Sequence, residues 1–173
     1  MSTNRFVTII NGIRTLVTAI SASAGAGDAN KIVATRSDGT IDPSFMPTGV
    51  GLDVETIVAS EALTAGDFIN IFDNAGTRNC RKADASNGRV AHGFVLVGVA
   101  SAASATVFLD GTNTARTGLV AGVTYKLSAT AAGGTVAAST QFTTGQIDQI
   151  LGVAVSTTAI EFKSDPGHVI TIG

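Results

Sequence analysis

The chain has 173 residues, of which 45% are hydrophobic, 14% are charged and 20 are glycine. Its net charge of −2 argues against nucleic-acid binding, which needs a basic surface to displace counterions from phosphates. No stretch approaches the roughly 18 consecutive apolar residues of a membrane-spanning helix, and the N-terminus lacks the features of a signal peptide. We therefore expect a protein that is made in the cytoplasm, binds no membrane and covers apolar surface with partners, since charges are so few.

The first 20 residues contain the clearest local signal. Two runs rich in β-branched residues flank Asn11-Gly12, a pair that favours a two-residue hairpin turn because both residues tolerate positive φ. The competing interpretation is a helix, since the apolar residues between Ile13 and Ile20 recur at the spacing of one helix face. The β-branched residues in that stretch weaken the helix, and we predict a hairpin.

Residues 1–50 are predicted to form an extended N-terminal arm with little core of its own. Ser21–Asp28 contains only small side chains apart from its last residue and is typical of a mobile linker. Residues 30–35 could form a short strand. The prolines at positions 43 and 47 then argue against regular structure, because a proline pushes the residue before it out of the helical region.

Residues 51–173 are predicted to form one β body. Short runs rich in β-branched and aromatic residues alternate there with turns, a pattern typical of an all-β barrel or sandwich. The predicted strands lie near residues 54–60, 67–73, 80–83, 90–101, 105–109, 124–128, 136–138, 147–156 and 159–162. The predicted turns lie at residues 74–76, 86–88, 110–111, 132–134 and 144–145.

An internal pseudo-repeat runs through this body. The stretch LTAGDFINIFDNAGT at residues 63–77 is echoed by LVAGVTYKLSATAAGGT at residues 119–135. Each copy continues from its Leu-x-Ala-Gly opening into a strand-like run and a glycine turn. The segments that begin at Gly93 and Gly152 extend the similarity. The repeat indicates how the body is built and does not identify any catalytic residue.

Residues that carry catalytic or metal chemistry are scarce. His92 and His168 are far apart, and we interpret His92 as a hydrogen-bonded structural histidine rather than a catalytic base. No serine lies in a Gly-x-Ser-x-Gly motif. Cys80 is the single cysteine, so the chain has no internal disulfide and no cysteine-based zinc site. We expect no enzyme activity, no cofactor and no metal.

Several soft motifs remain. The body contains ALTAGDFINI at residues 62–71, RKADA at 81–85, AHGFV at 91–95 and LGVA at 151–154, and the arm contains DAxKIVATxxDGxIDxSxMP at 28–47. The body motifs resemble those of the capsid decoration, or cement, proteins of tailed phages, and the arm motif resembles segments of both head-decoration proteins and fibres. The resemblance covers most of residues 6–162. It implies a β-barrel that trimerises on the outside of an icosahedral head, with its arm laid over the major capsid protein.

Three classes of function follow. The first is a structural virion protein that binds the outside of a phage head and cements contacts between major capsid protein subunits. The alternative is a tail fibre or baseplate component that binds a host receptor, since the arm motif occurs there too. The third is an enzyme such as a polysaccharide-degrading domain, which the absence of tryptophan makes a poor fit.

The apolar residues of the arm are the candidate capsid-binding residues. They would dock by strand addition, in which the backbone supplies hydrogen bonds and alternate side chains supply anchors. The alternative is that these apolar residues form a small core beneath the chain's own barrel. The candidates are Phe6, Ile9, Ile10, Ile13, Leu16 and Val17.

Overall fold

A computed structural model describes residues 5–46, 53–163 and 169–173. The chain divides into two compact units, residues 1–51 and 52–173. The predicted all-β class is confirmed, since helical structure in the described residues is confined to three 3₁₀ turns. No helix among these residues is long and apolar enough to cross a membrane.

The first unit begins with the predicted hairpin. Strands β1 (Arg5–Ile10) and β2 (Ile13–Thr18) pair antiparallel along their full length. The connecting residues Asn11 and Gly12 have φ values of 52° and 78°, the left-handed conformation that a two-residue hairpin turn requires. The local turn chemistry therefore outweighs the helical spacing of the apolar residues.

The rest of the first unit differs from the expectation. The predicted strand at residues 30–35 is wrong, because only Val33 makes a bridge, a parallel one to Ile20. The predicted linker Ser21–Asp28 contains a 3₁₀ turn, Ala26–Asp28, and the Asp28 carboxylate accepts a hydrogen bond from the Ala24 N–H. A second 3₁₀ turn, Pro43–Phe45, begins at a proline, since a proline restricts the residue before it but suits a first helical position.

The second unit contains eleven strands within the described residues. They are β3 (Val54–Ala59), β4 (Phe68–Asn74), β5 (Thr77–Lys82), β6 (Gly93–Phe94), β7 (Ser104–Phe108), β8 (Asp110–Asn113), β9 (Thr124–Leu127), β10 (Thr135–Ala137), β11 (Ile147–Ala154), β12 (Ile160–Lys163) and β13 (Val169–Thr171). Strands β3 to β7 close into a barrel in the order β3-β5-β4-β6-β7. The others form a second sheet in the order β10-β9-β11-β12-β8, with β13 paired to β11.

Two predicted elements of this unit are wrong. The long strand expected at residues 90–101 is reduced to the two residues of β6, after which Val95 and Val99 make separate backbone hydrogen bonds to the stretch at residues 63–67. The turn expected at residues 110–111 lies inside β8, where Gly111 has a φ of 109° and pairs with Phe162 of β12. The chain therefore passes from the barrel into the second sheet without a reverse turn.

Two hydrophobic clusters hold the second unit together. One fills the barrel and the other joins the barrel to the second sheet. In the joining cluster the ring of Phe68 lies 5.3 Å from that of Phe162 and 6.3 Å from that of Phe94. The barrel cluster comprises Ile57, Ala59, Leu63, Ile69, Cys80, Val95, Ala105 and Val107.

The pseudo-repeat is visible as two copies of one hydrogen-bonding pattern. In the barrel, the Gly66 N–H donates to the Val95 carbonyl at 2.8 Å, and the Val95 N–H donates to the Asp67 carbonyl at 3.1 Å. In the second sheet, the Gly122 N–H donates to the Ala154 carbonyl at 2.7 Å, and the Ala154 N–H returns a bond to Val123. The barrel and the second sheet are thus each built around one copy of the repeat.

The glycines that follow each copy permit a close approach of strands. A Cβ atom at Gly152 would lie 1.8 Å from the Glu161 carbonyl oxygen, and one at Gly93 would lie 2.5 Å from that of Phe108. No side chain fits at either distance. Both positions therefore require glycine for packing, which explains why the two glycines recur at matching places in the repeat.

Candidate functional site

The hairpin exposes apolar side chains on both of its faces. Ile9 and Ile13 are 69% and 68% exposed, and Phe6, Ile10 and Leu16 are also exposed. Exposed apolar residues that are grouped in this way mark interaction sites. The six residues predicted to bind a capsid therefore lie on an accessible surface, with Val17 half-buried among them.

The strand register divides the six predicted residues between the two faces, because successive side chains of a strand point to opposite sides. We call one side the uncharged face. It consists of Phe6, Thr8, Ile10, Ile13, Thr15 and Val17. We call the other side the arginine face. It consists of Arg5, Val7, Ile9, Arg14, Leu16 and Thr18. The arrangement brings four of the predicted residues together on the first face and leaves two on the second.

The hairpin also has free backbone edges. Strand β1 pairs only with β2 among the described residues, so the outer edge of each strand carries unpaired N–H and C=O groups. Such edges are templates for pairing with another chain. Residues 5–20 contain two arginines and no acidic residue, which gives the hairpin a local charge of +2.

A second open edge lies in the barrel, on β7. The Leu109 N–H donates to the Asp53 carbonyl and the Ala59 N–H donates to the Ala103 carbonyl. The backbone N–H and C=O groups of the odd-numbered residues from 103 to 109 therefore point toward β3. The backbone groups of Ser104 and Thr106 point the other way, because groups alternate along an antiparallel strand.

Strand β6 does not cover this edge. It pairs with β7 only at Phe94 and Phe108, and within the described chain no backbone or side-chain partner reaches the N–H and C=O groups of Ser104 and Thr106. The barrel is therefore closed by a single residue pair and open beside it.

The open edge forms one wall of a groove of about 620 Å³, which we call the β7 groove. Its lining contains no charged side chain, and Val97 at its rim is 72% exposed. The groove is lined by Leu96, Val97, Gly98, Val99, Ala100, Ala103, Ser104, Thr106 and Phe108. It therefore combines unpaired backbone groups with apolar side chains, the combination that binds an extended strand.

The sequence interpretation missed this groove. We predicted one strand at residues 90–101, whereas the structure has the short β6 followed by a loop that leaves β7 uncovered. A signal was present, because residues 90–109 contain no aspartate, glutamate, lysine or arginine. An uncharged run of this length indicates a surface that is covered by other protein atoms rather than exposed to water.

A cleft of about 550 Å³ surrounds His92 elsewhere on the second unit. Its Nδ1 accepts a hydrogen bond from the Ile71 N–H at 2.9 Å, so the neutral imidazole carries its proton on Nε2. Burial lowers the pKa of His92, and the positive charge of Arg78 lowers it further. His92 is thus hydrogen-bonded, as expected. The cleft is lined by Asp53, Ile71, Arg78, His92, Leu109, Asp110 and Lys163.

In the part of the chain that the structure describes, this cleft contains neither a nucleophile paired with His92 nor a cluster of metal ligands. No serine, threonine or cysteine side chain hydrogen-bonds to His92 there. Among residues 5–46, 53–163 and 169–173, no three histidine, cysteine, aspartate or glutamate residues lie close enough together to hold a metal ion. The buried thiol of Cys80 lies in the barrel core, where burial raises its pKa and so disfavours the thiolate.

Comparisons of this chain with protein-family models, with curated proteins and with solved structures found no match. What can be inferred about function therefore comes from the hairpin, the β7 groove and the sequence motifs.

Proposed function

We propose that this protein is a structural virion protein that binds the outside of a phage head and cements contacts between major capsid protein subunits. The observation that carries the proposal is the hairpin, which presents apolar side chains on both faces and free backbone edges on both strands. A two-stranded hairpin is marginally stable in water by itself. It becomes more stable when its surface is covered, and in this proposal the capsid covers part of that surface.

The motifs at residues 28–47, 62–71, 81–85, 91–95 and 151–154 support a virion protein, since they resemble those of phage decoration proteins. The low proportion of charged residues supports an assembly in which much of the surface is covered. We propose a homotrimer that is made in the host cytoplasm and has no catalytic role, cofactor or metal. Three arms on one particle raise the affinity through effective concentration, because the second and third arms bind as intramolecular events.

We assign the capsid contact to the arginine face of the hairpin. Its apolar residues are exposed and are flanked by two positive charges, which favour an acidic partner surface. Burial of one such side chain contributes about 1.5–3 kcal/mol, so loss of two anchors lowers the affinity at least about 100-fold, since 1.4 kcal/mol corresponds to a factor of ten.

Binding to heads that lack their decoration tests this assignment. We expect Ile9→Ala with Leu16→Ala to lower the affinity for the heads at least about 100-fold, by the same conversion of buried area to affinity. The matched control is Val120→Ala with Ile170→Ala, two residues of the second unit that are similarly exposed, and it should coat heads like the wild type. Cosedimentation measures occupancy, and electron microscopy locates the bound copies.

Two outcomes would contradict the proposal. Wild-type protein that fails to coat heads, or that is found at the tail tip of the parent virion, would favour the fibre or baseplate alternative. A double variant that coats heads as the wild type does would remove the hairpin from the contact.

A further inference from the structure

We propose that the β7 groove of one copy binds the hairpin of a second copy, which adds its strands to the open edge of β7. The inference goes beyond attachment to a head, since it concerns a contact between copies of this chain. It rests on four observations: the open edge of β7, the free edges of the hairpin, the uncharged character of the two contacting surfaces, and the opposite net charges of the hairpin and the second unit.

The groove needs a strand. The N–H and C=O groups of Ser104 and Thr106 are polar groups beside an apolar lining, and an unpaired backbone group costs free energy when water is excluded from it. A water molecule can satisfy one such group, but only an extended chain satisfies both residues and covers the lining side chains at once. The occupant is therefore a β-strand.

The hairpin needs a third strand. Its two strands are six residues long, and the accessible strand β7 is five residues long, so one hairpin edge spans the whole of β7. Addition to β7 turns a marginal two-stranded ribbon into part of a larger sheet. Each partner thus supplies the hydrogen-bonding groups that the other lacks.

The chemistry of the two surfaces selects one orientation. The lining of the groove has no charge, so an arginine buried there would lose its hydration without gaining a partner. The uncharged face of the hairpin carries only Phe6, Thr8, Ile10, Ile13, Thr15 and Val17 and can enter the groove at no such cost. The arginine face then points outward and remains available to another protein.

Opposite charges favour this encounter between copies. The hairpin has a charge of +2, whereas residues 52–173 contain seven basic and ten acidic side chains and have a net charge of −3. Such complementarity steers association between the two surfaces. The donor and acceptor surfaces differ, so the contact is heterologous and closes into a ring when the rotation between copies permits. A ring of three copies agrees with the homotrimer proposed above.

Cross-linking of mixed single variants tests the contact without any phage head. Thr8→Cys places a thiol on the uncharged face, and Thr106→Cys places one at the open edge. The native Cys80 is buried and does not interfere. One variant carries a size tag, the two are mixed, and a short bismaleimide is added. We expect a covalent heterodimer that contains one tagged and one untagged chain.

Thr157→Cys is the matched control for Thr106→Cys, since it is an exposed threonine in the second unit, between β11 and β12. It should give no heterodimer with Thr8→Cys. Equal cross-linking of Thr157→Cys would overturn the proposal. A second result would also overturn it. In that result the mixed single variants give no heterodimer, and a double variant with both Thr8→Cys and Thr106→Cys cross-links only within one chain. The hairpin would then dock on its own copy.

A charge at the open edge provides the second test. Thr106→Arg should abolish the oligomer in sedimentation velocity, because a charged side chain at an edge blocks strand addition. Thr157→Arg should retain it, and circular dichroism should show cooperative thermal unfolding for both variants. A wild-type chain that sediments as a monomer, or a Thr106→Arg variant that remains oligomeric, would overturn the inference. Attachment to heads is tested separately, by the Ile9→Ala with Leu16→Ala variant above.

Discussion

His92 links the stability of the second unit to pH. Its imidazole is half-buried and accepts a backbone hydrogen bond through Nδ1, and burial, followed by the charge of Arg78, lowers its pKa below the ordinary value of about 6.5. The unfolded chain therefore binds a proton at a higher pH than the folded chain does. Stability contributed by the neutral imidazole is complete above pH 6.5 and decreases as the pH falls through that value.

We predict that the free energy of unfolding decreases between pH 7 and pH 5, and that His92→Asn weakens this dependence. The asparagine side-chain oxygen can replace Nδ1 as acceptor of the Ile71 N–H but does not titrate. Urea denaturation at several pH values measures the effect. His168→Asn is the control, since it removes the other histidine, which lies outside the described residues. An unchanged slope for His92→Asn would contradict the prediction.

At the scale of elements, one side chain of β11 replaces a missing strand. Gln149 is 2% exposed, its Oε1 accepts the Ala91 N–H at 2.8 Å and its Nε2 donates to the Ala91 carbonyl at 2.8 Å. The N–H and C=O groups of Ala91 have no backbone partner among the described residues, so the Gln149 amide supplies both hydrogen bonds that a neighbouring strand would make. Gln149 thereby ties the second sheet to the barrel.

We predict that Gln149→Leu destabilises the second unit by about 2–6 kcal/mol. The leucine leaves two buried backbone groups of Ala91 without partners, and each such group costs about 1–3 kcal/mol. Gln141→Leu is the control because Gln141 is exposed, and we expect it to change stability by less than about 0.5 kcal/mol. Thermal unfolding of the two variants side by side distinguishes them. A Gln149→Leu variant as stable as Gln141→Leu would mean that water replaces the amide.

At the scale of the whole molecule, the hydrophobic clusters and the exposed apolar hairpin belong to different units. Every member of both hydrophobic clusters belongs to residues 52–173, whereas the exposed apolar residues of the hairpin belong to residues 1–51. The second unit therefore contains what is needed for its own core. The first unit contributes surfaces that other chains can bind.

We predict that a chain beginning at residue 52 folds cooperatively, with a midpoint within about 4 °C of the full-length protein, a shift that corresponds to about 1 kcal/mol or less. The same chain should be monomeric and should not coat heads, because it lacks the hairpin. Calorimetry and light scattering measure the two properties. A truncated chain that is unfolded would place the arm within the core, and one that still forms oligomers would contradict the exchange of hairpins.

Local sequence determined the parts of the fold that depend on backbone preference. Asn11-Gly12 and Ala75-Gly76 adopt positive φ, and each pair joins two antiparallel strands as predicted. The alternation of turns with runs rich in β-branched and aromatic residues predicted most strands of the second unit. The repeat that begins at residues 63 and 119 marked the two copies of one hydrogen-bonding pattern. The sequence also identified the six apolar residues of the hairpin as candidate capsid-binding residues. Their role in binding a capsid stays a prediction.

The tertiary structure alone decided which strands close the barrel, which edge remains open and which hairpin residues share a face. These features depend on pairing between residues that are distant in sequence, as Ala91 and Gln149 are, and strand patterns do not specify a partner. The long apolar run at residues 90–101 was predicted as one strand, yet it pairs with β7 only at Phe94, while Val95 and Val99 hydrogen-bond to the stretch at residues 63–67. The β7 groove exists for that reason, since a side-chain pattern records which residues are apolar but not which backbone groups lack a neighbour.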